Sequence, residues 1–303
     1  MNIVETNGLT KIYSGRAVVD GVNMHIPQGS IYGFVGENGS GKTTIMRMLT
    51  GIAAPSRGGF TISGVKNTDM RIFSVRKQMS AIVENVSYVP TMTAMDNLIY
   101  QELYLGIKLS NEQRHNLLSL VNLGGVGKKK VKNFSLGMRQ RLGIALALMN
   151  DPTFMLLDEP MNGLDPQGIA DLRDLLIKIN REKGITILIS SHILSELEKI
   201  ATVYGFISHG KLIQELSVEE LQERCRKSVT FVFQDVEAAY KVLKELGVKD
   251  FKTFPTGEVK IYDEIDLGSF VSALNDKKLK INSINTTDES VEEYYLNLVK
   301  GEH

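Results

Sequence analysis

The sequence predicts an α/β fold organised around a phosphate-binding loop, with a helical insertion and a small α+β domain at the carboxyl end. Three observations predict it. An apolar strand, 30–35, runs directly into a glycine-rich loop and a helix. Two further apolar strands, 153–157 and 185–189, end in polar residues, as buried strands of parallel sheets do. Between the loop and these two strands, three successive stretches have helical spacing without an intervening strand.

The composition fits a chain of 303 residues with about two domains of ~150 residues each. Lysine plus arginine and aspartate plus glutamate both number 35, so we expect no nucleic-acid partner. The single cysteine, Cys225, cannot form an intrachain disulfide, which fits a reducing cytoplasm. The chain shows neither a signal-peptide pattern nor an apolar run near the roughly 18 residues of a membrane span, so we expect membrane work to use a partner chain.

The loop after the first apolar strand matches the pattern G-x-x-x-x-G-K-[ST] in full. Its residues are Gly36, Glu37, Asn38, Gly39, Ser40, Gly41, Lys42, Thr43 and Thr44. The glycines let backbone N–H groups curl around phosphate oxygens, and the following helix adds unpaired N–H groups and the positive end of its dipole. Lys42 is expected to reach the β- and γ-phosphates, and the Thr43 hydroxyl to bind Mg²⁺. A glycine turn that only joins strand to helix would not explain why every position of the pattern is filled.

Ahead of the loop, 3–6 and 17–26 are predicted strands, and Tyr13 lies between them. Its ring can stack on adenine, because an aromatic face binds any base plane without hydrogen-bond readout. On its own, Tyr13 is an ordinary half-buried residue at a strand end. The other motifs of the chain favour the stacking interpretation.

Beyond the loop helix, the pattern changes from strands to helices. The predicted strands are 60–62 and 80–83, the second followed by Glu84, and the predicted helices are 95–104, 111–123 and 136–149. Ser135 is a good N-cap for the last of these helices, and Gly137 allows close backbone approach there. Such a helix start either serves only as a cap or holds a phosphate.

Two carboxylates, Asp158 and Glu159, follow the apolar strand 153–157. Neighbouring strand residues point to opposite faces, so the pair serves one site only if the chain bends at once, which Pro160 and Gly163 favour. Asp158 is then expected to hold Mg²⁺ and Glu159 to act as the general base for an attacking water. Two solvated loop acids, the alternative, would not explain the apolar run that leads into them.

The chain continues with a turn at 163–166, a helix over 169–179 and the strand 185–189, which ends in Ser190, Ser191 and His192. A lone histidine at a strand end is usually structural. Here it falls at the sheet edge that carries the loop and the acid pair, where doubly wound folds place their chemistry, so we expect it to contact the γ-phosphate. A hairpin of 203–208 and 211–214 closes the first domain.

With these parts in order, the chain resembles the ATP-binding subunit of an ABC transporter over residues 1 to about 215. The matching parts are Tyr13 as the adenine-stacking residue, Gly36 to Thr44 as Walker A, Phe134 to Met138 as the signature, Phe154 to Glu159 as Walker B, Gly163 to Asp165 as the D-loop, and His192 as the switch histidine. The resemblance implies ATP and Mg²⁺ as ligands and hydrolysis as the activity. It also implies that two copies pair head to tail, with Ser135, Gly137 and Asp165 contributing to nucleotide sites, and that separate transmembrane permease subunits hold the chain at the inner face of the membrane.

Two positions depart from the family pattern. The signature has F-S-L-G-M in place of L-S-G-G-Q, and Glu84 stands where most members have the Q-loop glutamine, as a candidate Mg²⁺ ligand. The tracts 81–85 and 134–142 are similar to the subgroup that exports lantibiotics and bacitracin-like peptides, which implies peptide-antibiotic resistance. The alternative is a non-transport ABC ATPase, a mechanical or regulatory module that acts on nucleic acid or ribosomes. Proteins of that class typically carry two fused cassettes or long coiled coils, whereas this sequence shows one cassette, no sustained heptads and a balanced charge.

The remaining residues, 216–303, form a predicted accessory domain with no glycine-rich loop or clustered catalytic acids. The predicted order is strand 229–233, helix 238–246, strands 251–254 and 258–262, helix 267–274 and strand 281–286, followed by a closing helix capped by Ser290. This order is ferredoxin-like, a fold that hosts many functions and implies none. Regulation, dimer stabilisation and a purely structural role remain open. The helical subdomain of the first domain is placed at about 85–150.

Overall fold

The structure is a computed structural model that describes residues 1–84, 87–225, 227–254, 256–277, 279–287 and 290–301. It divides into two compact units, Met1–Val218 and Glu219–His303. No helix within the described ranges is long and apolar enough to cross a membrane.

The first unit has the mixed α/β composition that the sequence predicts. Its strands are β1 (Asn2–Tyr13), β2 (Arg16–Val22), β3 (His25–Pro27), β4 (Ile31–Val35), β5 (Arg57–Ile62), β6 (Val65–Lys66), β7 (Met79–Ile82), β8 (Phe154–Asp158), β9 (Thr186–Ser191), β10 (Val203–Ser208) and β11 (Lys211–Ser217). Its helices are α1 (Lys42–Thr50), α2 (Ile72–Arg76), α3 (Ala94–Leu105), α4 (Asn111–Leu120), α5 (Leu136–Leu148), α6 (Pro166–Lys183) and α7 (Leu194–Leu197).

The central sheet has the strand order β11-β10-β4-β9-β8-β7. All neighbouring pairs from β10 to β7 are parallel, and only β11 is antiparallel. Every residue of β4, β8 and β9 is buried, which is why their sequences are nearly continuous apolar runs. The carboxyl ends of these strands meet at one edge, so the loop after β4, the acids after β8 and the polar residues after β9 converge there.

A second, antiparallel sheet has the order β2-β1-β5-β6, and β3 also pairs with β1. The prediction that the first strand ends at residue 6 is wrong, because β1 continues to Tyr13 through Gly8, whose φ of 57° accommodates an irregular register. The predicted strand 17–26 is also wrong as a single element. It divides into β2 and β3, which pair with different stretches of β1.

The main core of the first unit lies around α1 and brings together residues of both sheets. Leu9 and Phe60 come from the antiparallel sheet, Phe34 and Leu156 from the central sheet, and Met48 from α1. The three predicted helices of the insertion are present as α3, α4 and α5. The short helix α2 was not predicted, because its five residues are too few to show helical spacing.

A buried ion pair joins the first two helices of the insertion. Arg114 of α4 donates from Nε to Glu102 Oε1 over 2.6 Å and from Nη2 to Glu102 Oε2 over 2.8 Å. This bidentate hydrogen bonding lowers the pKa of Glu102. The pair fixes α3 against α4, and each of the two charges has a partner of opposite sign.

Glu215 of β11 makes a second set of side-chain contacts between elements of the first unit. Its Oε1 accepts hydrogen bonds from the Tyr32 hydroxyl over 2.7 Å and from the His25 backbone N–H over 2.8 Å. Its Oε2 lies 2.8 Å from His25 Nδ1. Burial, with the nearby Glu215 charge second, raises the pKa of Tyr32 well above its ordinary value. The last strand of the unit is thereby tied to β4, the strand that leads into the phosphate-binding loop.

The second unit contains α8 (Val218–Arg224), β12 (Ser228–Phe233), α9 (Val236–Glu245), β13 (Phe251–Thr253), β14 (Glu258–Ile261), α10 (Leu267–Asp276), β15 (Ile281–Thr287) and α11 (Val291–Lys300). From β12 onward, it has the element order that the sequence predicts, whereas the helix α8 ahead of it was not predicted. The sheet order is β13-β14-β12-β15, antiparallel throughout, and residues of α9 and α10 share an apolar core with it. This is a ferredoxin-like arrangement. Ser290 caps α11 as predicted, in a capping box with Glu293.

Candidate active site

The loop after β4 is shaped to receive an anion. Gly39 and Gly41 have φ of 82° and 110°, and α1 starts after Gly41 without a side-chain cap, which leaves its first N–H groups unpaired. A Cβ on Gly36 would lie 2.5 Å from the Ile207 carbonyl oxygen, so only glycine fits there. The loop borders a cleft of about 140 Å³. Its lining residues are Val18, Asn38, Gly39, Gly41, Lys42, Thr43, Thr44 and Glu159.

Lys42 brings a buried positive charge to this cleft. The residue is only 5% exposed, and its Nζ donates to the carbonyl oxygens of Gly36, over 2.5 Å, and of Glu37, over 3.1 Å. The same Nζ lies 3.4 Å from Glu159 Oε1. The ammonium group therefore lies between the phosphate-binding loop and the acid predicted to be the general base.

A chain of short hydrogen bonds joins the loop to the acids after β8. Thr43 Oγ1 donates to Asp158 Oδ2 over 2.7 Å, and Ser190 Oγ donates to Asp158 Oδ1 over 2.7 Å. Asp158 is thus held from two sides, by α1 and by the neighbouring strand β9. Thr43 and Asp158, which are both predicted to bind Mg²⁺, therefore lie within hydrogen-bond distance of each other.

The bend that brings both acids to one site occurs at Glu159 itself. Its φ is 48°, in the left-handed region that non-glycine residues rarely adopt, and its backbone N–H donates to Ser190 Oγ over 2.9 Å. Ser190 therefore serves both acids, accepting from one and donating to the other. Sequence reasoning attributed the bend to Pro160 and Gly163 and gave Ser190 no role, because the partner serine lies on a strand 31 residues further along the chain.

Glu159 is also held by the predicted switch histidine. Its Oε2 lies 2.8 Å from His192 Nδ1, and its buried Oε1 has no hydrogen-bond partner among the described residues. A further carboxyl, Glu196 of α7, stands in the electrostatic field of both, and burial raises its pKa, with the Glu159 charge acting in the same direction. The sequence gave no signal for Glu196, which lies one helical turn beyond His192.

These residues fit the ligands that the resemblance implies. Ser40 Oγ is buried beside the loop without a hydrogen-bond partner in the described chain, and Lys42 supplies the charge that phosphate oxygens require. For Mg²⁺, Thr43 and Asp158 offer one hydroxyl and one carboxylate. Among the described residues no group of three or more His, Cys, Asp or Glu side chains could hold a metal.

Glu84, the other predicted Mg²⁺ ligand, lies two residues beyond β7 and also has a left-handed φ, of 68°. Its carboxylate forms an ion pair with Arg47 of α1. Within the described residues it makes no hydrogen bond to Thr43, Asp158 or Glu159. Its role at the metal therefore stays a prediction.

Tyr13 ends β1 and is 44% exposed, with Lys11 Nζ 5.0 Å from the centre of its ring. A ring placed in this way has one cation near its face and remains accessible to a base plane. Its contact with adenine stays a prediction.

The predicted contributors from the signature and the D-loop lie at helix starts. Ser135 Oγ accepts from the Met138 N–H over 3.3 Å, and Asp165 Oδ1 accepts from the Gly168 N–H over 3.0 Å, so both cap helices. A Cβ on Gly137 would meet only Leu164, at 3.7 Å, so the backbone there is open to approach. None of these residues hydrogen-bonds to the Lys42 and Glu159 cluster among the described residues of the single chain.

Comparison with known proteins identifies the architecture. The family model described as ABC transporter matches residues 19–162. The bacitracin transport ATP-binding protein BcrA of Enterococcus faecalis is 38% identical over 99% of this chain and 97% of its own. The lantibiotic transport ATP-binding protein SrtF of Streptococcus pyogenes is 41% identical over 76% of this chain and 98% of its own. A solved dimeric structure of the ATP-binding cassette MJ0796, bound to ADP and Pi, has a TM-score of 0.64, 24% identity, and covers 71% of this chain and 98% of its own.

Proposed function

Because this chain belongs to the ABC transporter family of ATP-binding subunits, we propose that it is the motor of an exporter for bacitracin-like or lantibiotic peptides. One observation carries the choice of substrate class. The similarity to the bacitracin transport protein extends over 99% of the chain and so includes the second unit as well as the ATP-binding unit. Nothing in the chain favours the non-transport alternative.

Hydrolysis follows from the cluster at the edge of the central sheet. Lys42 and the loop N–H groups bind and orient the phosphates of ATP, and Thr43 and Asp158 are the residues that would hold Mg²⁺. When bound, the ion neutralises charge on the phosphate oxygens. Glu159 takes the proton of the attacking water as the water oxygen bonds to the γ-phosphorus and the bond from that phosphorus to ADP breaks, so that ADP and phosphate leave. His192, 2.8 Å from Glu159 Oε2, fixes the orientation of that carboxylate.

The signature helix completes the site in a second copy of the chain. Ser135 and Gly137 present a helix N-terminus with an open backbone, which is suited to a γ-phosphate held by the other copy. We expect a head-to-tail homodimer that forms with ATP and reopens after hydrolysis, with Asp165 at the same interface.

The permease subunits are proposed to bind beside β7 and the helical insertion. A groove of about 790 Å³ lies there, bordered by Phe73, Ile82, Val83 and Tyr104 among others. The neighbouring face of α3 leaves Leu103 79% exposed and Tyr104 83% exposed, which is unusual for residues of this size. Glu84 lies two residues beyond β7, so the groove is close in sequence to a candidate metal ligand. This arrangement would place the chain peripherally at the inner membrane face.

The test is to replace Lys42 with alanine and measure both ATP binding and peptide resistance. Removing the ammonium group should abolish measurable ATP binding by calorimetry while circular dichroism shows an intact fold, and cells that carry the whole transporter should lose resistance. Lys66→Ala, an exposed lysine on β6, is the matched control and should leave both properties unchanged. Unchanged ATP affinity in Lys42→Ala would refute the site, and resistance unaffected by loss of ATP binding would refute the proposed export role.

A further inference from the structure

The sheet edges of this protein differ in how they are protected from pairing with another strand. Charged side chains and short length are the usual protection. Charged side chains protect β2, which carries Arg16 and Asp20, and β11, which carries Lys211 and Glu215. Short length and one lysine protect β6, which has two residues and Lys66, and β13, which has three residues and Lys252. The four-residue β7 borders the groove assigned to the permease. Only β15, with the sequence INSINTT, is a long edge without charge or proline among the described strands.

β15 is paired on one side only, with β12, and most of its described side chains are exposed. Asn282, Ser283, Asn285 and Thr286 are exposed, while Ile284 packs against the core of the second unit. The pairing with β12 shifts register between Ser283 and Ile281, which leaves the stretch from Ser283 to Thr287 in regular alternation. Five regular residues are enough to form a short antiparallel ladder.

A groove of about 750 Å³ runs beside this strand on the α10 side. It is bordered by Val271 and Asn275 of α10 and by residues 281–284 of β15. A strand added at the edge would place alternate side chains into this groove, because side chains alternate between the two faces of a sheet. The backbone edge and the groove are therefore parts of one docking surface.

We propose that this surface binds the same strand of a second copy of the chain, so that two four-stranded sheets join through antiparallel β15 strands. Charge favours this occupant. Lys280 precedes β15, whereas Glu292 and Glu293 lie in the first turn of α11 after it. Antiparallel pairing about a two-fold axis sets the basic end of one strand beside the acidic end of the other, and parallel pairing would set like charges together.

The inference rests on the proposed function in one respect. If two copies already associate through their ATP-binding units, the two second units are held in one complex, which raises the effective concentration of each edge for the other, so a weak ladder suffices. The pairing then keeps the two copies together when hydrolysis separates their nucleotide sites. It assigns the second unit the role of a permanent dimer contact.

Cross-linking tests the pairing directly in the full-length chain. Single cysteines replace Ser283, Asn285 or Thr286 in a Cys225→Ser background, with Thr253→Cys on the β13 edge as the matched control. Residues opposite each other in antiparallel strands have Cα atoms about 4.5–5.5 Å apart, within the range that a disulfide spans. Mild oxidation without nucleotide should give a covalent dimer from at least one β15 position and none from Thr253→Cys.

A second measurement follows the strength of association. In sedimentation without nucleotide, Asn285→Lys should raise the concentration for half-dimerisation about tenfold or more, because it sets like charges close together in the ladder. Thr253→Lys should not. Cross-linking that is absent from β15, equal at Thr253→Cys, or directed to a permease subunit in membranes would overturn the proposal.

The two proposals can fail separately. If the Glu159→Gln chain dimerises with ATP and Mg²⁺ but no β15 cysteine cross-links, the edge pairing is refuted and the motor function stands. If β15 cross-links form but the chain with its native ATP-binding residues does not bind ATP, the edge pairing is supported and the motor function is refuted.

Discussion

Glu159 and Glu84 occupy equivalent places on neighbouring strands, yet the structure holds them very differently. Each lies just beyond the carboxyl end of a parallel strand, and each has a left-handed backbone, with φ of 48° and 68°. Glu159 is 21% exposed and contacts a serine, a lysine and a histidine. Glu84 is 52% exposed, and its only described partner is Arg47, itself 35% exposed.

Glu159 is fixed by its surroundings, whereas Glu84 is free to change its position. A general base must be fixed relative to the atom it deprotonates, and three contacts from separate elements achieve this for Glu159. A single exposed ion pair contributes about 0–1 kcal/mol, so Glu84 can exchange partners at little cost. The same strand-end position therefore supplies a rigidly held carboxylate in one case and a movable carboxylate in the other.

The largest expected effect comes from neutralising the rigid member of the pair. Glu159→Gln should reduce turnover by roughly 10²–10⁴-fold, because it removes a proton acceptor but keeps the shape of the side chain. ATP binding should survive, and an ATP-bound dimer should accumulate. Steady-state ATPase assays and sedimentation with ATP and Mg²⁺ measure both. Turnover near the wild-type rate, or a monomer under these conditions, would contradict the role of Glu159.

The hydrogen bonds between Ser190 and the two acids can be tested without changing either acid. Ser190→Ala removes a hydrogen bond to Asp158 and one to the Glu159 backbone, and bonds to charged groups contribute about 1.5–3 kcal/mol. We expect turnover to fall by about tenfold or more and the Mg²⁺ concentration for half-maximal ATP binding to rise. Ser191→Ala is the matched control, because among the described residues its hydroxyl hydrogen-bonds only to the backbone of Ile193 in its own turn. Equal effects of the two variants would mean that Ser190 has no special role.

Tyr13 extends the comparison to an exposed residue that should act on affinity alone. If its ring stacks on adenine, Tyr13→Ala should lower ATP affinity by about 1–3 kcal/mol and Tyr13→Phe by far less. Calorimetric titration of ATP into both variants measures this difference. Alanine and phenylalanine variants with the same affinity would show that the ring is not the contact.

The smallest effect on chemistry is expected from the movable member of the pair. In Glu84→Gln, the ATPase rate of the isolated subunit should stay within a few-fold of wild type, a barrier change below ~1 kcal/mol. Peptide resistance in cells with the whole transporter should nevertheless fall, because Glu84 is predicted to contact the metal and lies next in sequence to Val83, which borders the groove proposed for the permease. Arg47→Ala, which removes its present partner, should likewise affect resistance more than ATPase rate. Intact resistance in Glu84→Gln, or both activities falling together by orders of magnitude, would contradict a coupling role.

The comparison also shows how far the sequence alone could go. The phosphate-binding loop is local, since its nine residues contain the glycines, the lysine and the helix start that define it, and so it could be predicted in full. The order of strands and helices followed from periodicity, whereas β1 was predicted too short because Gly8 interrupts its alternation. The bend at Glu159 could be anticipated as a requirement, but the residue that stabilises it could not.

Long-range partners explain what the sequence did not reveal. Ser190 lies 31 residues from Glu159, and no sequence pattern marks it as a hydrogen-bond partner of both acids. These hydrogen bonds become possible because β8 and β9 are neighbouring strands of the folded sheet. The ion pair of Glu84 with Arg47 spans 37 residues and joins a strand end to a helix that the motif already explained. Such contacts depend on topology, which periodicity does not encode.

Glu215 sets a lower limit on the length of a functional fragment. A chain cut after Ser208 would keep every nucleotide-binding motif but lose β11, and the fully buried Tyr32 hydroxyl would have no carboxylate to receive its hydrogen bond. An unsatisfied buried polar group costs about 1–3 kcal/mol, a large fraction of the stability of a typical domain. Recombinant shortening of this ATPase should therefore stop no earlier than Ser217, well beyond His192, the last residue predicted to contact the nucleotide.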